Sequence, residues 1–115
     1  MSLIAHVEAE QAYERLRFVK PPKWVPARWT TVLDDTCKTF GLTRDQLAAP
    51  SRYRSIAWPR FYAMAKMREL GMSYPDVGRR LGGMDHTSVI HGVRRYAMPQ
   101  VQAYLTRRAL EVSFR

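Results

Sequence analysis

A single cysteine, Cys37, excludes an internal disulfide and any zinc cluster built from several thiolates. Histidine is almost as scarce: only three occur, and His86 and His91 lie five apart, off the i,i+4 spacing of a helical metal pair. No metal and no cofactor is therefore expected. No apolar run approaches the roughly 18 residues of a membrane-spanning helix, and no secretory signal opens the chain. A cytoplasmic protein is the expectation, associated with the nucleoid if it binds DNA. Period-two alternation is absent throughout, so no strand is expected. A phosphate-cradling GxxxxGK[ST] loop is missing as well, and 115 residues are too few for an ATPase module.

Acid is also in short supply: ten acidic side chains stand against nineteen basic ones, leaving +9. The excess is concentrated. Residues 51–96 carry nine basic and three acidic groups, two thirds of the net charge. Such a stretch attracts a polyanion at long range and gains further when condensed counterions are released. Nucleic acid and an anionic membrane both meet that description, so charge alone does not choose between them.

What is abundant is apolar residues at helical spacing. Residues 2–18 fit a first helix, with Leu3, Ile4, Val7 and Leu16 on one face. Three prolines within Lys20–Pro26 then impose an extended connector, and Trp24 and Trp29 beside it are expected to pack on the adjoining domain. This divides the chain into an arm over 1–28 and a domain over 29–115. The next helix is expected from Thr30 or Thr31, capped by one of them, to Phe40, with Gly41 as its stop. Its stripe of Val32, Leu33, Cys37 and Phe40 makes Cys37 a core residue, not a nucleophile. Thr43-Arg44-Asp45-Gln46 reads as a capping box. A long helix follows from about Ser55–Pro59 to Leu70, on the expectation that Pro59 lies in its first turn. Ser73 caps a short helix ending near Leu81, and Asp85 caps another that runs to about Ala97. Pro99 separates that helix from a last one over roughly 100–112. The fold class is all-α, with about six to seven helices.

Short helix, glycine-containing turn and amphipathic helix make a helix-turn-helix over 74–97. Its second helix opens with Asp85, His86, Thr87 and Ser88 and closes with Arg94 and Arg95. This order suits an N-terminal end that meets base edges while the later residues grip phosphate. The basic loop Arg52–Arg54 precedes the long helix, where an arginine can enter an adjacent minor groove. Arg79 and Arg80, at the end of the short helix, are expected to favour its dipole.

Ile56-Ala57-Trp58-Pro59-Arg60, together with Leu81-Gly82-Gly83-Met84-Asp85-His86-Thr87-Ser88-Val89-Ile90-His91, resembles the C-terminal duplex-binding domain of the bacterial replication initiator DnaA. The likeness spans about residues 30–96 and is strongest over 55–95. It implies a helix-turn-helix domain that binds double-stranded DNA, here as a free-standing reader without the ATPase. By position it places Arg52 in the minor groove, and the reading of the basic loop adds Arg54 there. It places Asp85, His86, Thr87 and Ser88 on bases in the major groove. Arg60, Arg68, Tyr74, Pro75 and Arg95 fall along the phosphate backbone, and the helix-turn-helix reading adds His91 and Arg94 there. The loop after Leu70 is one residue shorter than the pattern, and four positions depart from it. Met84 stands where arginine is usual, Phe61 replaces a polar residue, Trp58 a basic one, and Ser88 lacks the methyl of threonine.

The function these readings favour is a sequence-specific regulator of transcription, bacterial or phage-related; an activator of a phage-like or gene-transfer-agent cluster is one form it can take. A replication regulator competing for initiator boxes is the alternative, and an adaptor recruiting polymerase, a sigma-like protein or a second copy through residues 1–28 is the third. An enzyme is the weakest reading.

Overall fold

The computed structural model describes residues 28–115, which form six α-helices and no strand. The helix expected over 2–18 and the proline connector lie outside the described residues. In chain order the helices are α1 (Trp29–Phe40), α2 (Arg44–Ala48), α3 (Arg54–Glu69), α4 (Tyr74–Arg80), α5 (His86–Tyr96) and α6 (Pro99–Ser113).

Helix α3 is the hub, and it packs against each of the other five. Ala57, Phe61, Ala63, Met64 and Met67 are buried along it, so it is apolar around most of its circumference. Leu33, Cys37 and Phe40 of α1, Leu47 of α2, Val77 of α4, Val89 of α5 and Val101 and Leu105 of α6 close the core around it. Trp29 packs against this cluster, as expected of it. Arg80, in the last turn of α4, also lies over the Trp29 indole at 4.6 Å and so bridges to the start of α1.

Two expected starts are corrected. Arg28, not a threonine, is the N-cap of α1, and it makes no side-chain cap bond; Thr30 and Thr31 lie inside the helix. Helix α3 begins at Arg54, which puts Pro59 in its second turn. Proline has no N–H, so the Ser55 carbonyl one turn back loses its helical partner. Arg108 of α6 replaces it by donating Nη1 to that carbonyl, and its Nε donates to the Phe40 carbonyl at 3.1 Å. One side chain thus ties α6 to the proline in α3 and to the end of α1.

The capping box of α2 is present in full. Thr43 Oγ1 accepts from the Gln46 N–H at 3.1 Å, and Gln46 Oε1 accepts from the Thr43 N–H at 2.9 Å.

Candidate DNA interface

The turn between α4 and α5 depends on Gly78. Its carbonyl accepts from the N–H groups of Leu81, Gly83 and Met84, at 3.2, 3.0 and 2.8 Å. A Cβ there would stand 2.1 Å from the Met84 carbonyl oxygen, so only glycine lets the turn close this tightly. At Gly92, inside α5, a Cβ would stand 2.3 Å from Met64 Sδ and 3.0 Å from the Phe61 ring. That absence lets α5 lie directly on α3 and fixes which of its faces turns outward. Neither role is visible in the motif spacing; a glycine in a helix interior is the signal that could have found both.

With Val89 and Gly92 buried, the outward face of α5 carries His86, Thr87, Ser88, His91, Arg94 and Arg95, all exposed. Asp85 occupies the N-cap position, but its side chain makes no cap bond. The expected capping carboxylate is corrected on this point: it is 65% exposed and faces His86, with 3.2 Å between Oδ1 and Nδ1. The first helix of the motif behaves differently, since Ser73 Oγ accepts from the Asp76 N–H at 3.2 Å. Arg79 and Arg80 lie 2.8 and 3.9 Å from the Asp76 carboxylate.

A groove of about 420 Å³ runs between the loop before α3 and this outer face. Arg52, Ser88, His91 and Arg95 line its rim, over a floor that includes Trp58, Phe61 and Met84. The structure therefore brings the expected minor-groove arginine and the expected reading helix onto one concave surface. Of the four substituted positions, three lie in the floor of that same groove and the fourth, Ser88, is on its rim. Among the described residues, no carboxylate pairs with Arg52, Arg94 or Arg95.

Arg68, Tyr74 and Pro75 form a second group where α3 meets α4. The Arg68 guanidinium lies 4.1 Å from the Tyr74 ring centroid and donates to the Met72 carbonyl at 2.6 Å, while Pro75 is exposed. The phosphate role expected of Arg60 does not fit its surroundings. The residue is only 4% exposed, and its guanidinium donates to the carbonyls of Leu47, Ala49 and Ser51. Burial lowers its pKa from the ordinary arginine value. Arg60 is an internal tie that shapes the loop leading to Arg52. Cys37 is buried, and desolvation raises its thiol pKa, which disfavours the nucleophilic thiolate.

Among the described residues there is no group of three or more potential metal ligands and no helix long and apolar enough to cross a membrane.

Fold and groove together define a helix-turn-helix domain of the DNA-binding class. The profile of the bacterial DnaA protein helix-turn-helix matches residues 29–95, and the chain belongs to that family. It is a domain for sequence-specific DNA binding. Among similar proteins is the chromosomal replication initiator protein DnaA of Thermomicrobium roseum, 48% identical over 63 residues, which are 54% of this chain and 14% of that protein. The DnaA of Sphingopyxis alaskensis is 46% identical over 59 residues, 50% of this chain and 13% of that protein. A longer match, to the DnaA of a Synechococcus species, is 36% identical over 91 residues, 78% of this chain and 19% of that protein. The chain thus spans less than a fifth of the length of these relatives. No solved structure matches it significantly.

Proposed function

We propose that this protein is a transcriptional regulator that reads a short double-stranded DNA site. The start of α5 enters the major groove, and Arg52 and Arg54 enter the minor groove beside it. The observation that carries this reading is the groove shared by the Arg52 loop and the outer face of α5. Each reading residue has a chemistry suited to a base edge. The Thr87 methyl can meet a thymine methyl, His86 can donate to guanine, and the uncapped Asp85 carboxylate can accept from the amino group of cytosine or adenine. Ser88 stands next in the row. Arg94, Arg95 and His91 lie further along the helix, and Arg68, Tyr74 and Pro75 lie where α3 meets α4; both sets suit phosphate. The carboxylate also repels phosphate, so a wrong register is penalised.

Selection from random duplex sequence by the intact chain tests the proposal. A recovered motif, related to the initiator's TTATCCACA-like box but shifted at the bases facing Met84 and Ser88, is the expected result. Equal affinity for all duplexes would sink it. With about six phosphates neutralised, log K falls against log salt with a slope near −5.

A second reading, control of replication, is favoured by the relatives' name as replication initiators. The changes at Trp58, Phe61, Met84 and Ser88 support a target other than the initiator box, and so the first reading. Genome-wide occupancy separates the two: peaks at promoters support regulation of transcription, and peaks at the origin support replication control. Recruitment of a protein partner through residues 1–28 would add to either, and deleting that arm tests it: lost activity in cells with unchanged DNA affinity is the result expected of recruitment.

A further inference from the structure

Helix α6 lies beyond the segment matched by the family, yet it reaches the arginine loop through a continuous set of contacts. Arg108 Nη1 donates to the Tyr104 hydroxyl at 3.0 Å while also holding the Ser55 and Phe40 carbonyls. The Tyr104 ring meets the Trp58 indole edge-on, with centroids 5.1 Å apart and planes at 84°. Across that indole, 4.5 Å from its centroid, lies the guanidinium of Arg54 at the start of α3. Trp58 also lines the groove that carries Arg52.

We propose that Trp58 and Tyr104 are positioning residues for Arg54, so that α6, through Tyr104, sets the minor-groove contact. This rests on the DNA-reading function proposed above. An exposed arginine ordinarily loses much rotamer freedom when it is fixed in a groove. Stacking on an indole before binding removes part of that loss, which is preorganisation. The contact places the guanidinium over the indole ring and leaves its N–H groups available for base and sugar acceptors. The perpendicular contact with Tyr104 restrains the indole over which Arg54 lies. A basic residue at position 58 would repel Arg54 instead of seating it.

The test uses the intact chain and duplexes carrying the selected core motif, flanked by either A·T or G·C pairs where the loop meets the minor groove. The wild type prefers the A·T flank, and Arg54→Ala reduces the preference to the part that Arg52 supplies. Trp58→Leu and Tyr104→Leu each reduce it about three- to tenfold, in line with loss of a cation–π contact. Discrimination within the core motif stays as in the wild type, and Tyr104→Phe keeps the preference because the ring remains. In the free wild-type chain, the Arg54 side-chain NMR signals are shifted upfield by the indole, a readout that no folding defect in a variant can obscure. Variants that melt earlier but keep the flank preference would show that Trp58 and Tyr104 only pack, and would overturn the proposal. Unshifted Arg54 signals, or an Arg54→Ala chain with unchanged preference, would overturn it too. A wild type that binds every duplex alike would remove the DNA reading itself, and the assignment of Arg54 with it.

Discussion

The two helices of the motif begin in opposite ways. Helix α4 is closed at its N-terminus: Ser73 caps it, Pro75 needs no donor partner, and the Asp76 carboxylate draws in Arg79 and Arg80. Helix α5 is left open, with a carboxylate at its N-cap that bonds no backbone N–H and no acidic residue in its first turn. A helix start that satisfies its own orphan donors has nothing further to offer. One that leaves them facing water, below a row of exposed polar side chains, is prepared for an external acceptor. The arginines divide along the same line. Arg60 is committed to three carbonyls inside the protein, whereas Arg95 on the groove rim has no carboxylate partner among the described residues.

The largest expected effect breaks the contrast by moving α5 as a whole. In Gly78→Ala the new methyl meets the Met84 carbonyl, a backbone atom that cannot turn aside. A loss of about 3 kcal/mol, the upper end of overpacking costs, is expected in thermal or denaturant unfolding. DNA affinity falls with it for every sequence. Next is Arg60→Met, which keeps the volume but strands three carbonyls; a destabilisation of about 2 kcal/mol is expected. Calorimetric unfolding checks it. A neutral result would mean that water replaces the guanidinium and that the loop to Arg52 shapes itself.

Ser73→Ala and Asp85→Ala test the two helix starts directly. The first should cost about 1 kcal/mol of stability, the usual worth of a cap, and leave base preference alone. The second should change stability by less than about 0.5 kcal/mol and relax discrimination at one base step by about 1–3 kcal/mol. Unfolding curves and binding to a panel of single-base variants give both numbers. If the two substitutions exchanged outcomes, α4 and not α5 would be the reading helix.

Much of this arrangement is legible in the sequence, wherever a local rule decides the outcome. Gly41, the Thr43–Gln46 box and Ser73 each act within one turn, so residue type and spacing suffice to place them. The outward set of α5 follows from periodicity in the same way. Sequence reading fails where a distant partner wins. Pro59 looks like a first-turn residue until Arg108, 49 positions later, supplies the donor that proline lacks. Arg60 looks like a surface cation because nothing local shows that three carbonyls of a folded-back loop surround it. Asp85 differs for a local reason: it has the composition of a cap and the position of one, yet its carboxylate turns to its own neighbour, His86. The helix-turn-helix was legible; which polar groups it keeps for itself was not.

The smallest effect sharpens the comparison most, because it leaves the fold untouched. Arg79 and Arg95 are both exposed and each ends a helix of the motif, but Arg79 is held 2.8 Å from Asp76 and Arg95 lines the groove. Exposed ion pairs contribute little, so neither Arg79→Gln nor Arg95→Gln should move stability by more than about 0.5 kcal/mol. They should differ in the salt dependence of DNA binding. A cation that neutralises one phosphate contributes about 0.9 to the slope of log K against log salt. Arg95→Gln is therefore expected to flatten the slope by about that amount and to weaken all sites equally, as a phosphate contact must. Arg79→Gln leaves the slope near the wild-type value, because that guanidinium already neutralises a carboxylate of its own chain. Equal slopes for both variants would mean that the Asp76 pair opens on binding, and that the start of α4 is closed only in the absence of DNA.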